Sequence, residues 1–335
     1  MKILFLVFLA PMGWAIEVEF SRGLSLTPRG ACTEVKIQDP RNPEVLLQRF
    51  FLRPRQLPEG ICPGDLEELG IPVRNLDLNS STQIYPLVRL GEVHRIHSFP
   101  SREWVQHPMV QERMQSGKIE LGEPEKKAAA ELVFQVQKTV LPRICIPEWR
   151  EPHPLGYVEW IRLYGLLVGR PALAEFVFSG IRRRYMELRD SRTGASEVRV
   201  LLNGPYRGKW PLPGQETYFG TLLRDAGAEY VFADQKEASL DHEIHEVVHR
   251  SRDAEVWLHP SGFSCEQMIQ EHPEISAIQA VASGNLFRHD RQDGPTGRGW
   301  YEQGLASPDE VLADVIKILD GKDASVLIWY RRVDR

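Results

Sequence analysis

Residues 148–190 read EWREPHPLGYVEWIRLYGLLVGRPALAEFVFSGIRRRYMELRD, and how this stretch is parsed decides the fold. Apolar side chains recur at helical spacing in two sets: Leu155, Val158, Ile161, Leu163, Tyr164, Leu166 and Leu167, then Leu173, Phe176, Val177, Ile181, Tyr185 and Leu188. Gly169-Arg170-Pro171 divides them, Gly suiting the residue after a helix end and Pro the first turn of the next helix. The second helix carries Arg182-Arg183-Arg184 towards its end, where positive charge complements the helix dipole. A helix of about twenty residues reaches about 30 Å, enough to cross between two domains. The spacing is compatible with two arrangements: a rigid strut between α/β lobes, or two core helices of one larger domain. Ahead of them, Glu148–Pro154 reads as a short exposed segment with Trp149 set among carboxylates.

At 335 residues the chain has material for two domains with sizeable cores. It is 42% hydrophobic and 26% charged, with a net charge of −5 that gives no electrostatic ground for binding nucleic acid. Residues 1–15 stand apart. Lys2, an apolar run from Ile3 to Met12, and Gly13-Trp14-Ala15 have the form of a secretory signal peptide. No cysteine follows that run directly, so a free exported protein is expected rather than a lipid-anchored one. In an exported chain the four cysteines, Cys32, Cys62, Cys145 and Cys265, can make two disulfides in any of three connectivities. Cys32 with Cys62 is the favoured bridge, since both fall in the N-terminal segment.

Residues 16–72 read as strands at 16–20, 34–37 and 45–52 separated by Gly- and Pro-bearing turns, one of them Asp39-Pro40-Arg41-Asn42-Pro43. Together they suggest a small antiparallel appendage on a first lobe at 73–154. Connecting helices follow at 155–192. From 193 to 320, strands at 197–202, near 230–232 and at 254–258 alternate with helices at 217–226, 241–251, near 264–270 and 308–319. That alternation predicts a parallel sheet covered on both faces. The tail, 321–335, contains a short strand at 325–330 expected to pair with the N-terminal appendage.

Three blocks carry a resemblance. The order Glu-Trp-x-Glu-x-x-Pro-Leu-Gly-x-x-Glu-Trp-Ile at 148–161 is the first. Asn203–Trp210 with Pro213-Gly214, Leu222–Ala228 and Phe232-Ala233-Asp234 form the second, and Pro308–Leu319 the third. In this order they resemble the iron-complex (siderophore and haem) and cobalamin class of ABC-transporter substrate-binding proteins, the class III periplasmic binding proteins, over most of 73–330. The resemblance implies an α/β fold of two Rossmann-like lobes joined by a long helix, with the N-terminal β segment appended. It implies a metal chelate held between the lobes of a monomer and delivered to an ABC permease, with no enzymatic step and no cofactor. Family members dock on the permease through one acidic residue per lobe. By position these fall on Glu125 in the first lobe and, because the match in the second falls on His245, on Glu243 or Glu246. One departure stands out. Glu131–Phe134 and Arg143–Ile146 match neighbouring parallel strands, yet only about eight residues join them, fewer than a helical crossover needs. Either the helix is lost or the strands pair differently.

Ligands of open α/β sheets bind beyond the carboxyl ends of the strands, and flat chelates favour aromatic walls. Trp149, Tyr206, Trp210 and Trp300 lie in loops or Gly-rich turns suited to that role. Glu148, Arg207, Lys209 and Glu302 are the neighbouring charged groups expected to orient a ligand. Core packing is the competing role for the tryptophans. No G-x-S-x-G, P-loop or dinucleotide fingerprint occurs. His245-Glu246-Val247-Val248-His249 does spell H-E-x-x-H, so the alternative is a secreted zinc hydrolase with His245 and His249 as ligands and Glu246 as base. A solvated helix face is the plainer reading of the same five residues.

Overall fold

Alternating inward side chains shape the first sheet of the computed structural model, which describes residues 17–123, 128–134, 136–192, 198–236, 238–261, 264–293 and 299–334. The expected leader at 1–15 and Glu125 lie outside these residues. Strands β1 (Leu24–Arg29), β2 (Cys32–Asp39) and β3 (Asn42–Pro54) pair antiparallel, and β4 (Glu68–Ile71) adds parallel to β3. Leu24, Leu26, Val35, Ile37, Phe50 and Leu52 are buried on its inner face. The expected Cys32–Cys62 disulfide is present and ties β2 to the loop before β4. No strand forms at 17–20; residues 19–23 give their amides to side chains instead.

The first lobe follows as β5 (Leu76–Leu78), α1 (Ile84–Arg89), β6 (Ile96–Phe99), α2 (Pro108–Gln115), β7 (Glu120–Leu121), β8 (Ala130–Val133) and β9 (Arg143–Cys145). These strands make a parallel sheet in the order β7-β6-β5-β8-β9. Strands β8 and β9 keep their parallel register, Leu132 opposite Ile144, although none of the described residues between them is helical. The crossover helix is lost and the pairing is kept. The appendage joins this edge through Gln48, whose amide donates to Arg143 O (2.7 Å) and accepts from Cys145 N (3.2 Å).

The stretch at 148–190 forms α3 (Pro154–Glu159), α4 (Ile161–Val168) and α5 (Pro171–Asp190). Gly169, at φ +75°, is the left-handed cap that lets the chain turn into Pro171. Ala174, Val177, Phe178, Ile181 and Tyr185 form the buried stripe of α5, whereas Phe176, counted as apolar in the helical pattern, faces solvent.

Beyond it come β10 (Arg199–Leu202), β11 (Trp210–Leu212), α6 (Tyr218–Asp225), β12 (Glu229–Tyr230), β13 (Leu240–His242), α7 (Ile244–Arg250) and β14 (Val256–Leu258). The chain continues as α8 (Cys265–Glu271), α9 (Gln279–Ser283), β15 (Leu286–Arg288), a short π-helix at Trp300–Gly304, α10 (Pro308–Leu319) and β16 (Arg331–Arg332). The second sheet runs β12-β10-β14-β15-β16, parallel except for β16. The tail therefore pairs with β15 and not with the appendage. Its approach is held by the buried Asp314 carboxylate, which accepts from the amides of Ile328 (2.8 Å) and Trp329 (2.6 Å).

Of the two arrangements open for 148–190, the strut is the one formed. At its start Arg170 pairs with Glu92 of the first lobe (2.7 Å). Towards its end Tyr185 Oη donates to Asp225 Oδ2 (2.8 Å) and Arg184 pairs with Asp309 (2.6 Å), both in the second lobe. The fold is thus α/β with two sheet-bearing lobes and an appended β-sheet.

The disulfide closes a separation of 30 residues, for which chain entropy predicts a contribution of about 3–4 kcal/mol. Replacing both Cys32 and Cys62 by Ser is expected to lower the urea midpoint by that equivalent, read by equilibrium unfolding of oxidised wild type against the variant.

Candidate functional site

A cavity of about 180 Å³ opens between the lobes. Trp149 and Arg150 line it from the turn after β9, Tyr157 from α3, and Pro213, Glu216 and Phe219 from the loop and first turn of α6. Arg41, at the β2–β3 turn, lines it as well. This is the position beyond the strand ends where open α/β sheets hold ligands.

Trp149 is fixed on both its polar and its flat side. Its Nε1 donates to Phe134 O (3.1 Å), and the indole stacks on Phe134 with centroids 5.3 Å apart. The guanidinium carbons of Arg41 and Arg150 each lie 5.4 Å from the indole centroid, within cation–π range. Arg150 is held by Asp39 through two bonds, 2.8 and 3.1 Å. Across the cavity, Thr217 caps α6 by accepting from Gly220 N (3.2 Å). Phe219 stacks on Trp300 (6.1 Å, 12°), and Tyr157 meets Tyr218 edge to face (5.9 Å, 84°).

Of the ligand residues expected from sequence, Trp149 alone is among those lining this cavity. Trp210 is fully buried, stacked on Trp257 (5.2 Å), its Nε1 donating to Leu202 O (3.1 Å). Trp300 is buried behind Phe219 and against His289 (4.6 Å), so it backs the wall without forming it. Glu302 is buried too, accepting from the amides of Gln106 (2.6 Å) and His107 (2.9 Å) at the entry to α2, and burial pushes its carboxyl up to about 7. Tyr206, Arg207 and Lys209 sit on a tight turn closed by the Tyr206–Lys209 backbone pair, with Arg207 over the exposed Tyr206 ring. Lys209 forms an ion pair with Glu243, joining an expected ligand residue to an expected docking residue. His245, Glu246 and His249 are exposed on α7. Among the described residues no group of three or more His, Cys, Asp or Glu is placed to hold a metal ion.

Glu148 faces inward rather than into the cleft. Thr82 Oγ1 donates to its Oε1 (2.6 Å), while among the described residues its Oε2 and the hydroxyls of Tyr157 and Tyr164 meet no hydrogen-bond partner beside a cavity of about 20 Å³. Burial pushes the Glu148 carboxyl up to about 8. The residues missed by sequence reasoning, Arg41, Tyr157, Glu216 and Phe219, come from three separate segments. The Pro-Arg turn and the Thr217 helix start were the signals available for two of them.

Residues 123–292 match the family model described as periplasmic binding protein, about half of the chain. The chain belongs to this family, one of binding proteins rather than enzymes. An uncharacterised lipoprotein of Methanocaldococcus jannaschii is 23% identical over 179 residues, covering 51% of this chain and 41% of the relative. The match thus spans about two fifths of that relative's length. The fold is shared with a structure titled as an ABC-type Fe3+-hydroxamate transport system of Saccharomonospora viridis: 16% identity, TM-score 0.53, 75% of this chain and 94% of that one. It is shared equally with the periplasmic haem-binding protein of Vibrio cholerae, at 12% identity and TM-score 0.53, over 72% and 98% of the two chains.

The Glu148 carboxyl has a raised folded-state pKa, from 4.5 to about 8. Its favourable contribution is complete below the unfolded value and is lost as pH rises through the folded one. Glu148→Gln is therefore expected to gain stability over wild type between pH 5 and pH 8.5, by on the order of 4 kcal/mol. Urea unfolding at the two pH values measures it; a pH-independent difference would contradict the assignment.

Proposed function

We propose that this chain captures a metal chelate of the siderophore, haem or cobalamin kind between its lobes and delivers it to an ABC permease, with no bond chemistry of its own. The observation that carries this reading is the inter-lobe cavity, walled by Trp149, Tyr157 and Phe219 at the strand ends of two parallel sheets. Aromatic walls suit broad, flat ligands, and a ligand touching both lobes stabilises their closed arrangement over any open one. The apolar leader and the Cys32–Cys62 bridge fit an exported protein of an oxidising compartment. For docking, Glu243 is engaged by Lys209, which leaves Glu246 as the second-lobe carboxylate presented to a permease, with Glu125 proposed for the first lobe. The protein works in this scheme as a monomer.

Fluorescence titration with a ferric catecholate, a ferric hydroxamate, haemin and cobalamin tests the reading. At least one is expected to quench tryptophan emission with one-to-one saturation, and Trp149→Ala to weaken it about tenfold or more. Absence of saturable binding by all four, or full affinity in Trp149→Ala, would contradict it.

A further inference from the structure

We propose that the appended N-terminal sheet is part of the binding site, and that Arg41 at its β2–β3 turn selects an anionic chelate. This rests on the cleft reading above and adds to it the charge class of the ligand. Arg41 lies outside the matched family span of 123–292 and yet lines the cavity beside Trp149.

The turn that carries Arg41 is locked in place. Asp39 and Asn42 pair across it, leaving Pro40 and Arg41 as its two central residues. The Asp39 carboxylate accepts from Arg41 N (3.0 Å) and from both arms of Arg150 (2.8 and 3.1 Å), so the hairpin tip is tied to the residue next to Trp149. Pro40 packs on Gly23, where a Cβ would come within 2.7 Å of the Pro40 ring. Gly23 is in turn held by Glu151 through its amide (3.0 Å). The turn backbone is thus fixed at the cavity, and the exposed Arg41 side chain reaches over the Trp149 ring.

Arg41 shares the cavity with Arg150, Glu151 and Glu216. Arg150 is answered by Asp39 and Glu151 by the amides of residues 22 and 23. Among the described residues no carboxylate lies within ion-pair distance of the Arg41 guanidinium, although Asp39, which accepts from its backbone amide, attracts it while Arg150 repels it. Burial first, and then Arg150, lower its affinity for the proton, with Asp39 opposing them. A guanidinium presents a planar fork to carboxylate or catecholate oxygens. With the guanidinium 5.4 Å from the Trp149 centroid, one ligand can contact both groups, its oxygens meeting Arg41. A neutral chelate would gain only the aromatic contact.

The test titrates wild type, Arg41→Gln and Arg41→Lys with two probes, a trianionic ferric tris-catecholate and a neutral ferric trihydroxamate, each at low and high salt. Arg41→Gln is expected to weaken the catecholate about tenfold or more and to flatten its salt dependence. Arg41→Lys should recover part of the loss, and the hydroxamate affinity and thermal midpoint should stay unchanged. Equal weakening of both probes would assign Arg41 a structural role and overturn the proposal. So would unchanged catecholate binding in Arg41→Gln, or tighter wild-type binding of the neutral probe. If wild type binds neither probe, the assignment of Arg41 is overturned, whereas the cleft reading falls only if haemin and cobalamin also fail to bind.

Discussion

Two buried carboxylates at the junction of the lobes, Glu151 and Glu159, hold the start of the described chain in place. Glu159 accepts from the amides of Glu19, Phe20 and Ser21 at 2.7–2.9 Å, and Glu151 from those of Arg22 and Gly23 and from Trp160 Nε1 at 2.8–3.0 Å. Five successive backbone donors outside any strand are thus satisfied by side chains, four of them in part-buried bonds and that of Gly23 in a buried one. Burial holds both carboxyls above their ordinary pKa, while the amides and, for Glu159, Arg162 oppose it. Arg162 also forks onto Glu175 of the strut (2.9 and 3.1 Å) and lies over Phe178 (4.4 Å). Removing either carboxylate would leave two or three of these amides without their side-chain acceptor.

From that anchorage the rest of the site follows. With residues 19–23 fixed, β1 starts where it can pair with β2, and the β2–β3 turn is delivered to the cavity. The same α3 that carries Glu159 also supplies Tyr157 to the cavity. The strut then sets the second lobe opposite, tied by Asp225 and Asp309. Appendage, α3 and cleft are therefore linked by one set of hydrogen bonds.

How much of this was legible in the sequence depended on whether local pattern or burial decides the feature. The strut was readable because Gly169 and Pro171 mark its boundary and its apolar stripe has one period; α10 was found with the same limits, 308–319. The β8–β9 pairing survived its short connection because both strands are apolar enough to be buried side by side. Depth was the missing dimension. An indole suits a ligand wall and a core equally, so Trp210 and Trp300 were placed at the cleft when they pack beneath it. Glu148 and Glu302 look like ligand carboxylates until their partners, Thr82 and the amides of residues 106 and 107, are brought from distant segments. Arg41 showed only as part of a Pro-Arg turn, since nothing near it in sequence announces Trp149.

The most direct measurement of this account is native-state amide hydrogen exchange across residues 19–23. The two carboxylates predict protection comparable to the core of the β2–β3 pair, although these amides belong to no strand. Exchange at the rate of an unstructured peptide would contradict it, and with it the anchored appendage on which the position of Arg41 depends.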